Sequence, residues 1–344
     1  MPEDRKIIIN GDMLDDSCVV NNVHARDLQI EELSSCLVPC LNGKKPIHAW
    51  LFGRPGTGKT LVARHVLRRF SSERALAGIY VNCWERNSYY SVLDELVSEL
   101  RILGAEKLNT SFKLERLRRF LGSRPFVIIL DEIDQARRTE RDSILYNLCR
   151  IVNVGLVCIS NSAETLLSLD ERVKSRLSAR LIEFGPYSPG RLTEILRQRA
   201  EFALAPGSWD DALIAKIVQF AAGDARIAIR VLRNAALKAE ADGSSSIDMK
   251  HVLAGEISAG DLRKETLLAK LSSHHRLLYE LVRQRGEINS GELWDAYLDH
   301  CRAENKPTIA LRTYSEYMNK LIELDLVRWD RALVRGKVRT FKAT

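Results

Sequence analysis

The residues with the clearest chemical meaning form an octapeptide at positions 53–60, GRPGTGKT. An apolar run at residues 47–52 precedes it and a helical pattern follows it, so a strand, a glycine-rich turn and a helix N-terminus are predicted. Such a turn directs backbone N–H groups and the positive end of a helix dipole at one point, which suits a polyphosphate anion. Lys59 would reach the β and γ phosphates of ATP, and the Thr60 hydroxyl would bind Mg²⁺. The flanking strand and helix argue against the alternative, a glycine turn without a ligand.

A second apolar run, FVIILDE at residues 126–132, ends in two acids. Four consecutive branched aliphatic residues are typical of a strand buried on both faces of a parallel sheet, and such sheets bind ligands at the carboxyl ends of their strands. Asp131 would hold Mg²⁺ through water, while Glu132 would orient and deprotonate the attacking water. The alternative is that Asp131, Glu132 and Asp134 solvate a strand end and cap the next helix, which the upstream phosphate loop makes the weaker interpretation.

Two further short apolar runs, at residues 78–83 and 155–160, begin with glycine and alternate with helical patterns. With the first two runs they predict a parallel sheet that carries helices on both faces. Asn161 follows the last of these runs, beside the predicted acid pair. Its neutral amide would suit the lytic water or the γ phosphate, although an asparagine after a strand is more often a turn former.

From residue 188 onward the patterns become helical. They cover residues 188–202, 209–222, 225–241 and 247–255. Glycine-containing turns separate them, which predicts a separate small helical domain. Arg226 opens the third of these helices, where it would either fold back over the nucleotide or remain a surface cation.

The whole chain has a net charge of +7, and the positive charge is concentrated in its last residues. Residues 326–344 hold six basic side chains and one acidic side chain. Within them, β-type stretches at residues 326–329 and 338–341 flank the segment 331–337, which contains Gly336. This pattern predicts a β-hairpin with a cationic tip.

Two helical patterns precede the hairpin, one after Ser290 and one over residues 308–324, with a break at Pro307. This order predicts a winged helix-turn-helix, in which the second helix enters the DNA major groove and the hairpin reaches phosphates or the minor groove. The candidate contacts to double-stranded DNA are Arg312, Ser315, Glu316, Asn319 and Lys320 on the second helix, and Arg331, Arg335, Lys337 and Arg339 on the hairpin. Many winged helices bind protein instead, but the basic hairpin favours DNA because phosphate contacts supply most non-specific affinity.

Composition limits the class of protein. A hydrophobic fraction of 45% over 344 residues is ample for two or three packed domains. No apolar stretch approaches the roughly 20 residues that cross a bilayer, and residues 1–16 are polar and acidic, unlike a secretory signal. We therefore predict a cytoplasmic protein with no membrane partner. The seven cysteines have neither C-x-x-C pairs nor zinc-site spacing, which predicts reduced core thiols.

Five segments together resemble one family. They are GRPGTGKT at residues 53–60, LDEID at 130–134, ISN at 159–161, RVKSRL at 172–177 and GDAR at 223–226. In this order they resemble AAA+ ATPases of the initiator clade. With the winged helix, the chain resembles the archaeal origin-recognition and cell-division-control initiators over residues 19–342. The implied fold is an α/β AAA+ P-loop domain with a parallel sheet at residues 1–187, a helical lid at 188–258, and an α+β winged-helix domain at 259–344.

The resemblance implies roles in the nucleotide site. Lys59 and Thr60 are identified as Walker A, Asp131 and Glu132 as Walker B, Asn161 as sensor 1 and Arg226 as sensor 2. The segment HARD at residues 24–27 is similar to the family's entry segment beside the adenine. The implied contacts to ATP or ADP are Val20, Arg26, Gly53, Pro55, Gly56, Thr57, Gly58, Lys59, Thr60 and Leu61, and the implied Mg²⁺ ligands are Thr60 and Asp131.

The resemblance also implies contacts beyond the chain's own nucleotide. In this clade an arginine after the sensor 1 strand is offered to the ATP of a neighbouring subunit, and Arg176 is the first candidate and Arg172 the second. A cationic helix surface is the alternative. Residues 84–103 fall where initiators insert a helical element that touches the DNA backbone, although their acidic residues outnumber their basic ones.

The function implied is an ATP-controlled initiator that recognises origin DNA, works with paralogous initiator subunits, and helps recruit or load the replicative helicase. ATP would act chiefly as a switch. A monomer would be at most a weak ATPase, because one missing cation in phosphoryl transfer costs on the order of 10³ in rate. Two alternatives stay open: a clamp-loader or helicase-loader subunit that relies on protein partners, and a winged-helix transcription regulator with an ATP-sensing domain.

Overall fold

The computed structural model describes residues 6–15, 25–72, 76–104, 108–269, 271–304, 306–331 and 339–343. The chain forms two compact units, residues 1–255 and 256–344. The division between them falls within one continuous helix, as does the boundary predicted at residue 258. The domain limits at residues 187 and 258 remain predictions.

Five parallel strands form the centre of the first unit. They are β1 (Ala49–Phe52), β2 (Ala77–Asn82), β3 (Phe126–Asp131), β4 (Val154–Ser160) and β5 (Arg180–Glu183), in the spatial order β2-β3-β4-β1-β5. β3 and β4 are buried along their whole length, as their unbroken apolar sequences predict. β5 was not predicted, because only Ile182 of its four residues is buried.

Seven helices accompany this sheet in the described residues. They are α1 (Asp27–Leu37), α2 (Lys59–Ser72), α3 (Tyr89–Glu99), α4 (Thr110–Leu121), α5 (Arg138–Leu148), α6 (Glu164–Leu167) and α7 (Glu171–Leu177). Val127 packs in a cluster with Leu33 of α1 and Val62 of α2. Its neighbour Ile128 packs with residues of α3, α4 and α5. Since successive residues of a strand point to opposite faces, both faces of the sheet are covered.

Four helices follow the sheet. They are α8 (Pro189–Ala203), α9 (Asp211–Ala221), α10 (Ala225–Ala241) and α11 (Met249–Ala269). The prediction that the last helix ends at Gly255 is wrong, because α11 continues to Ala269. A Cβ atom at Gly255 would lie 2.9 Å from the Val231 carbonyl oxygen of α10. Gly255 therefore permits close helix packing and does not terminate the helix.

The second unit combines helices with a small antiparallel sheet. Its elements are α12 (Ser273–Arg285), β6 (Glu287–Asn289), α13 (Ser290–Ala303), α14 (Leu311–Glu323), β7 (Val327–Arg331) and β8 (Arg339–Ala343), and the strand order is β6-β8-β7. This is the predicted winged helix with one further helix and one further strand. α14 begins at Leu311 and not at residue 308, since residues 308–310 are not helical and Ala310 has an extended backbone.

Two sequence-based predictions concern the cysteines and membrane-spanning segments. Six cysteines lie in the described ranges, and all six are buried free thiols. Burial raises the pKa of Cys40 to about 11, which keeps that thiol protonated at neutral pH. Within the described part of the chain, no helix has the length and apolar character needed to cross a membrane.

Candidate nucleotide-binding site

The loop between β1 and α2 is shaped by glycines in the left-handed region. Gly56 has a φ of +75° and Gly58 a φ of +89°. A Cβ atom at Gly56 would lie 1.9 Å from Asp224 Oδ1, and one at Gly58 would lie 2.4 Å from the Tyr187 hydroxyl oxygen. Both backbone angle and space therefore require glycine, and the loop keeps the open backbone that a phosphate group needs.

Lys59 lies inside this loop. Its side chain is buried, with 7% exposure, and Nζ donates to the carbonyl oxygens of Gly53 at 2.5 Å and Arg54 at 2.9 Å. A longer contact of 3.4 Å joins Nζ to Asn161 Oδ1. Burial lowers the pKa of Lys59 to about 8, and the charge of Arg226 acts in the same direction. The ammonium group is thus held where an anion would be bound, with Arg226 close enough to affect it.

The Asp131 carboxylate is held by three donors. Oδ2 accepts from the hydroxyls of Thr60 at 2.7 Å and Tyr80 at 2.9 Å, and Oδ1 accepts from the Glu132 N–H at 2.9 Å. Burial, and next the Asp131 charge, raise the pKa of Tyr80, which therefore remains a protonated donor. Thr60 and Asp131, the two predicted metal ligands, are thus in direct contact.

This donor set fits Mg²⁺. Hydroxyl and carboxylate oxygens are the hard ligands that Mg²⁺ prefers, and Mg²⁺ is usually held by one or two carboxylates together with substrate phosphates. The described residues contain no cluster of three or more His, Cys, Asp or Glu side chains that would form a complete protein cage. Thr60 and Asp131 therefore match a magnesium ion that is shared with a bound nucleotide.

Two further predicted residues lie at the carboxyl ends of the strands. Glu132 directly follows β3 and has a left-handed backbone, with φ 52° and ψ 41°. Asn161 directly follows β4, and its Nδ2 donates to Asp134 Oδ2 at 3.1 Å. Because its Oδ1 faces Lys59, Asn161 connects the phosphate loop with the acidic segment after β3.

The N-terminus of α10 contacts the phosphate loop. Asp224 caps this helix by accepting from the N–H groups of Arg226 at 2.9 Å and Ile227 at 3.1 Å. The Ala225 N–H donates to the Gly56 carbonyl oxygen at 3.2 Å. The helical domain is therefore in contact with the loop, and the exposed Arg226 lies at that junction.

Arg26, which precedes the phosphate loop in the sequence, lies beside it in the structure. It is buried to 6% exposure and donates to the Gly185 carbonyl oxygen at 2.6 Å. Its guanidinium carbon is 4.0 Å from the ring centroid of Tyr187, the residue that touches Gly58. Val20, the other predicted contact of this segment, is outside the described residues. Arg26 thus lies beside the phosphate loop, and its contact with nucleotide remains a prediction.

The remaining predicted nucleotide contacts are Thr57 and Pro55 in the loop and Leu61 in α2. Thr57 is buried, and its hydroxyl donates to the Arg54 carbonyl oxygen at 2.8 Å. Pro55 is exposed at the outer side of the loop. Leu61 packs, half-buried, against the cluster between α1, α2 and the sheet. The contacts of Thr57 and Leu61 are therefore with the protein itself, and the role of all three residues towards nucleotide remains a prediction.

The two candidates for a finger arginine lie on α7. Arg172 and Arg176 are both exposed. The guanidinium carbon of Arg176 is 5.6 Å from the ring centroid of Tyr146, and that of Arg150 is 5.2 Å from the same ring. Exposure is what a residue offered to another subunit requires, and the ring of Tyr146 contacts Arg176.

The candidate DNA contacts of the second unit share one face of α14. Arg312, Ser315, Asn319 and Lys320 are exposed, at the spacing of successive helical turns. Arg339 of β8 donates to Asn319 Oδ1 at 3.3 Å, which joins the hairpin to this face. Arg335 and Lys337 lie outside the described residues, as does the side chain of Arg331.

Three residues of the nucleotide site were given no role there by sequence reasoning: Tyr80, Tyr187 and Asp224. Tyr80 lies in an apolar strand pattern and looks like a core residue. Asp224 was noted only as part of a turn, although an aspartate just before a helical pattern is a typical N-cap. Tyr187 immediately precedes the helical domain and carries no local signal of its contact with Gly58.

Replacing Gly56 with alanine should destabilise the fold and weaken nucleotide binding. The new Cβ would collide with Asp224 in a backbone conformation that disfavours side chains, so we expect a loss of about 1–3 kcal/mol of unfolding free energy. Thermal unfolding and nucleotide titration measure both effects. Gly190→Ala is the matched control: its Cβ meets nothing within 4 Å at the start of α8, so stability and affinity should stay near those of the wild type. Wild-type stability and affinity in Gly56→Ala would contradict the contact with Asp224.

The arrangement defines the class of protein. A phosphate loop after β1, an acid pair at the end of β3, an asparagine after the intervening β4, and a helical lid that contacts the loop are the parts of an AAA+ ATPase. Residues 46–177 match the family model described as AAA domain, and residues 193–256 match the model described as Cdc6 AAA+ ATPase-type lid domain.

Similar proteins narrow the class to one family. The chain is 33% identical to an ORC1-type DNA replication protein of Pyrococcus horikoshii over 94% of this chain and 83% of the relative. It is also 33% identical to ORC1-type DNA replication protein 1 of Halobacterium salinarum, over 85% of this chain and 95% of the relative. The chain therefore belongs to the ORC1-type DNA replication proteins, and the predicted membership among the replication initiators is confirmed.

Solved structures agree with this assignment. The structure of the Aeropyrum pernix ORC1 protein in complex with DNA matches with a TM-score of 0.85 and 30% identity, and the match covers 98% of this chain and 94% of that one. The A. pernix ORC2 protein, solved as ADPNP-ADP complexes, has the same fold, with a TM-score of 0.66 and 21% identity over 98% of this chain and 94% of that one. The predicted fold class, an AAA+ α/β domain with a helical lid and a winged helix, is confirmed.

Proposed function

We propose that this chain is an ATP-controlled initiator that binds double-stranded origin DNA and helps recruit or load the replicative helicase. The observation that carries the proposal is the constellation of Lys59, Thr60, Asp131 and Asn161 at one edge of the sheet, with Arg226 of the lid beside it. A. pernix ORC2 was solved with ADPNP and ADP, and A. pernix ORC1 was solved in complex with DNA. Both structures support the same two kinds of ligand for this chain.

Each residue of the constellation has a proposed role. Lys59 exchanges its two carbonyl contacts for the β and γ phosphates, and Arg226 adds a second positive charge from the lid. Glu132 accepts a proton from the attacking water, and Asn161 orients that water or the γ phosphate. Mg²⁺, when bound through Thr60 and Asp131, supplies charge neutralisation at the β and γ phosphates.

Hydrolysis by a lone chain should be slow. Arg172 and Arg176 are exposed on α7, which supports a role for one of them at the ATP of another copy or of a paralogous initiator subunit. A lone chain would then lack the finger arginine at its own site. Without it, phosphoryl transfer loses on the order of 10³ or more in rate. ATP would therefore remain bound as a signal, and the lid contact between Ala225 and Gly56 is where that signal would reach the helical domain.

DNA selection from a genomic library tests the proposal. Full-length protein would be incubated with genomic fragments at about 150 mM salt, with ATP or ADP, and the bound fragments sequenced. Enrichment of repeats near replication origins is expected. Enrichment of promoter operators only would favour a transcription regulator. Binding without any sequence preference would favour a loader whose winged helix docks protein.

A further inference from the structure

Tyr80 of β2 contacts the carboxylate on which the proposed metal site depends. Its hydroxyl donates to Asp131 Oδ2 at 2.9 Å, the oxygen that also accepts from Thr60 at 2.7 Å. β2 pairs with β3 so that Tyr80 lies opposite Ile129, two residues before Asp131. Residues two apart on a strand share a face, so the ring of Tyr80 extends along that face towards the strand end.

Arg64 holds the ring of Tyr80 in place. Its guanidinium carbon lies 3.8 Å from the ring centroid, within the range of a cation–π contact. Arg64 lies on α2 four residues after Thr60, so one face of this helix carries both the predicted metal ligand and the residue that covers the ring. Tyr80 is therefore fixed between α2 and the sheet with its hydroxyl directed at Asp131.

The orientation of the Asp131 carboxylate depends on its hydrogen bonds. Rotation about the terminal torsion of an aspartate has only broad preferences, so donors decide which oxygen faces the site. Oδ1 is held by the Glu132 N–H. At Oδ2, Thr60 must also offer its oxygen to the metal, whereas Tyr80 is a donor without such a second role.

We propose that Tyr80 is a positioning residue for the magnesium site: its hydroxyl fixes the Asp131 carboxylate, and Arg64 fixes the ring. This rests on the proposed nucleotide function. Partners that hydrogen-bond to a metal-binding carboxylate orient it and raise metal affinity, and their loss typically costs about 10–100-fold in that affinity. Tyr80 should therefore matter to binding of nucleotide with Mg²⁺ and not to binding of nucleotide alone.

The test measures how nucleotide binding depends on Mg²⁺ in the full-length chain. A fluorescent ATP analogue would be titrated into wild type and Tyr80→Phe, once in EDTA and once over a series of Mg²⁺ concentrations. In Tyr80→Phe we expect the Mg²⁺ concentration at half effect to rise about tenfold or more, with unchanged affinity in EDTA. The control is Tyr314→Phe, which also removes one tyrosine hydroxyl bond, to the Ser290 carbonyl oxygen at 3.1 Å in the other unit. Its Mg²⁺ midpoint should equal that of the wild type.

Two results would overturn the proposal: an unchanged Mg²⁺ midpoint in Tyr80→Phe, or an equal loss of affinity with and without Mg²⁺, which would make Tyr80 a part of the pocket wall. Should Tyr80→Phe not fold, Arg64→Gln provides the test. Its Mg²⁺ concentration at half effect should rise about two- to threefold, and an unchanged concentration would overturn the proposal. Wild-type protein that binds no nucleotide would instead refute the proposed function, and this outcome is visible before any variant is compared.

Discussion

Replacing Lys59 with alanine should weaken ATP binding at least about a hundredfold, because two hydrogen bonds from a buried cation to phosphate are lost at roughly 1.5–3 kcal/mol each. The side chain is the buried ammonium group in the phosphate loop, and Arg226 alone cannot replace it from the exposed start of α10. Equilibrium titration of a fluorescent ATP analogue measures the effect directly.

The same variant should keep most of its stability in the absence of nucleotide. The Gly53 carbonyl oxygen loses its donor, which costs about 1–3 kcal/mol, while the Arg54 carbonyl oxygen keeps the Thr57 hydroxyl. The lowered pKa of Lys59 means that burial of its charge costs stability, and removal of the charge offsets the lost donor. Lys113→Ala is the matched control, because Lys113 is a fully buried lysine whose partners, Asp94 and Tyr90, lie on α3. It should be destabilised and yet bind ATP normally. Normal ATP affinity in Lys59→Ala would contradict the proposed role of Lys59 in phosphate binding.

Changing Arg312 and Lys320 together to alanine should lower DNA affinity by about ten- to a hundredfold near 150 mM salt, and reduce the slope of log affinity against log salt by about 2. Both side chains lie on the exposed face of α14. Their ion pairs with Glu316 at 3.4 Å and Glu323 at 3.5 Å are exposed, so their loss should change stability by well under about 1 kcal/mol. Fluorescence anisotropy with a labelled duplex over a series of salt concentrations measures both quantities.

The control for this variant removes equal charge elsewhere in the same unit. Arg283 and Arg285 are exposed at the end of α12, outside the predicted DNA-binding face. Their change to alanine should leave the salt slope unchanged. An unaltered slope in the Arg312 and Lys320 variant would mean that α14 does not contact phosphates, and would favour a winged helix that docks protein.

The central strands and the positions of the proposed catalytic residues were predictable for a common physical reason. A buried parallel strand must be apolar throughout, so β3 and β4 stand out, and the residue after each strand lies at the ligand-binding edge. Glu132 and Asn161 could therefore be placed from position alone. Sequence patterns failed to predict two strands at the edges of the sheets. Only Ile182 of β5 is buried, and β6 has only three residues.

Contacts between distant segments were not predictable. Tyr80 meets Asp131, and Asp224 meets Gly56, through pairings that depend on strand register and on the docking of the helical domain. Local patterns carry no information about either. The helical pattern at residues 247–255 was ended too early for a similar reason, because a glycine that ends a helix and one that admits a neighbouring helix look alike in a single sequence.

The backbone of Glu132 shows where chemistry and folding oppose each other. A left-handed conformation costs a residue with a side chain roughly 1–2 kcal/mol, and glycine or asparagine would adopt it more readily. The surrounding strand and turn impose that conformation on a glutamate whose carboxylate is the proposed base. A search for more stable variants would therefore favour glycine or asparagine at this position, and a chain improved in that way would keep its fold and lose the proposed base. Six other non-glycine residues among those described also have a positive φ, but Glu132 is the one that carries a proposed catalytic group. The native sequence is therefore locally frustrated at a residue where stability and activity make opposite demands.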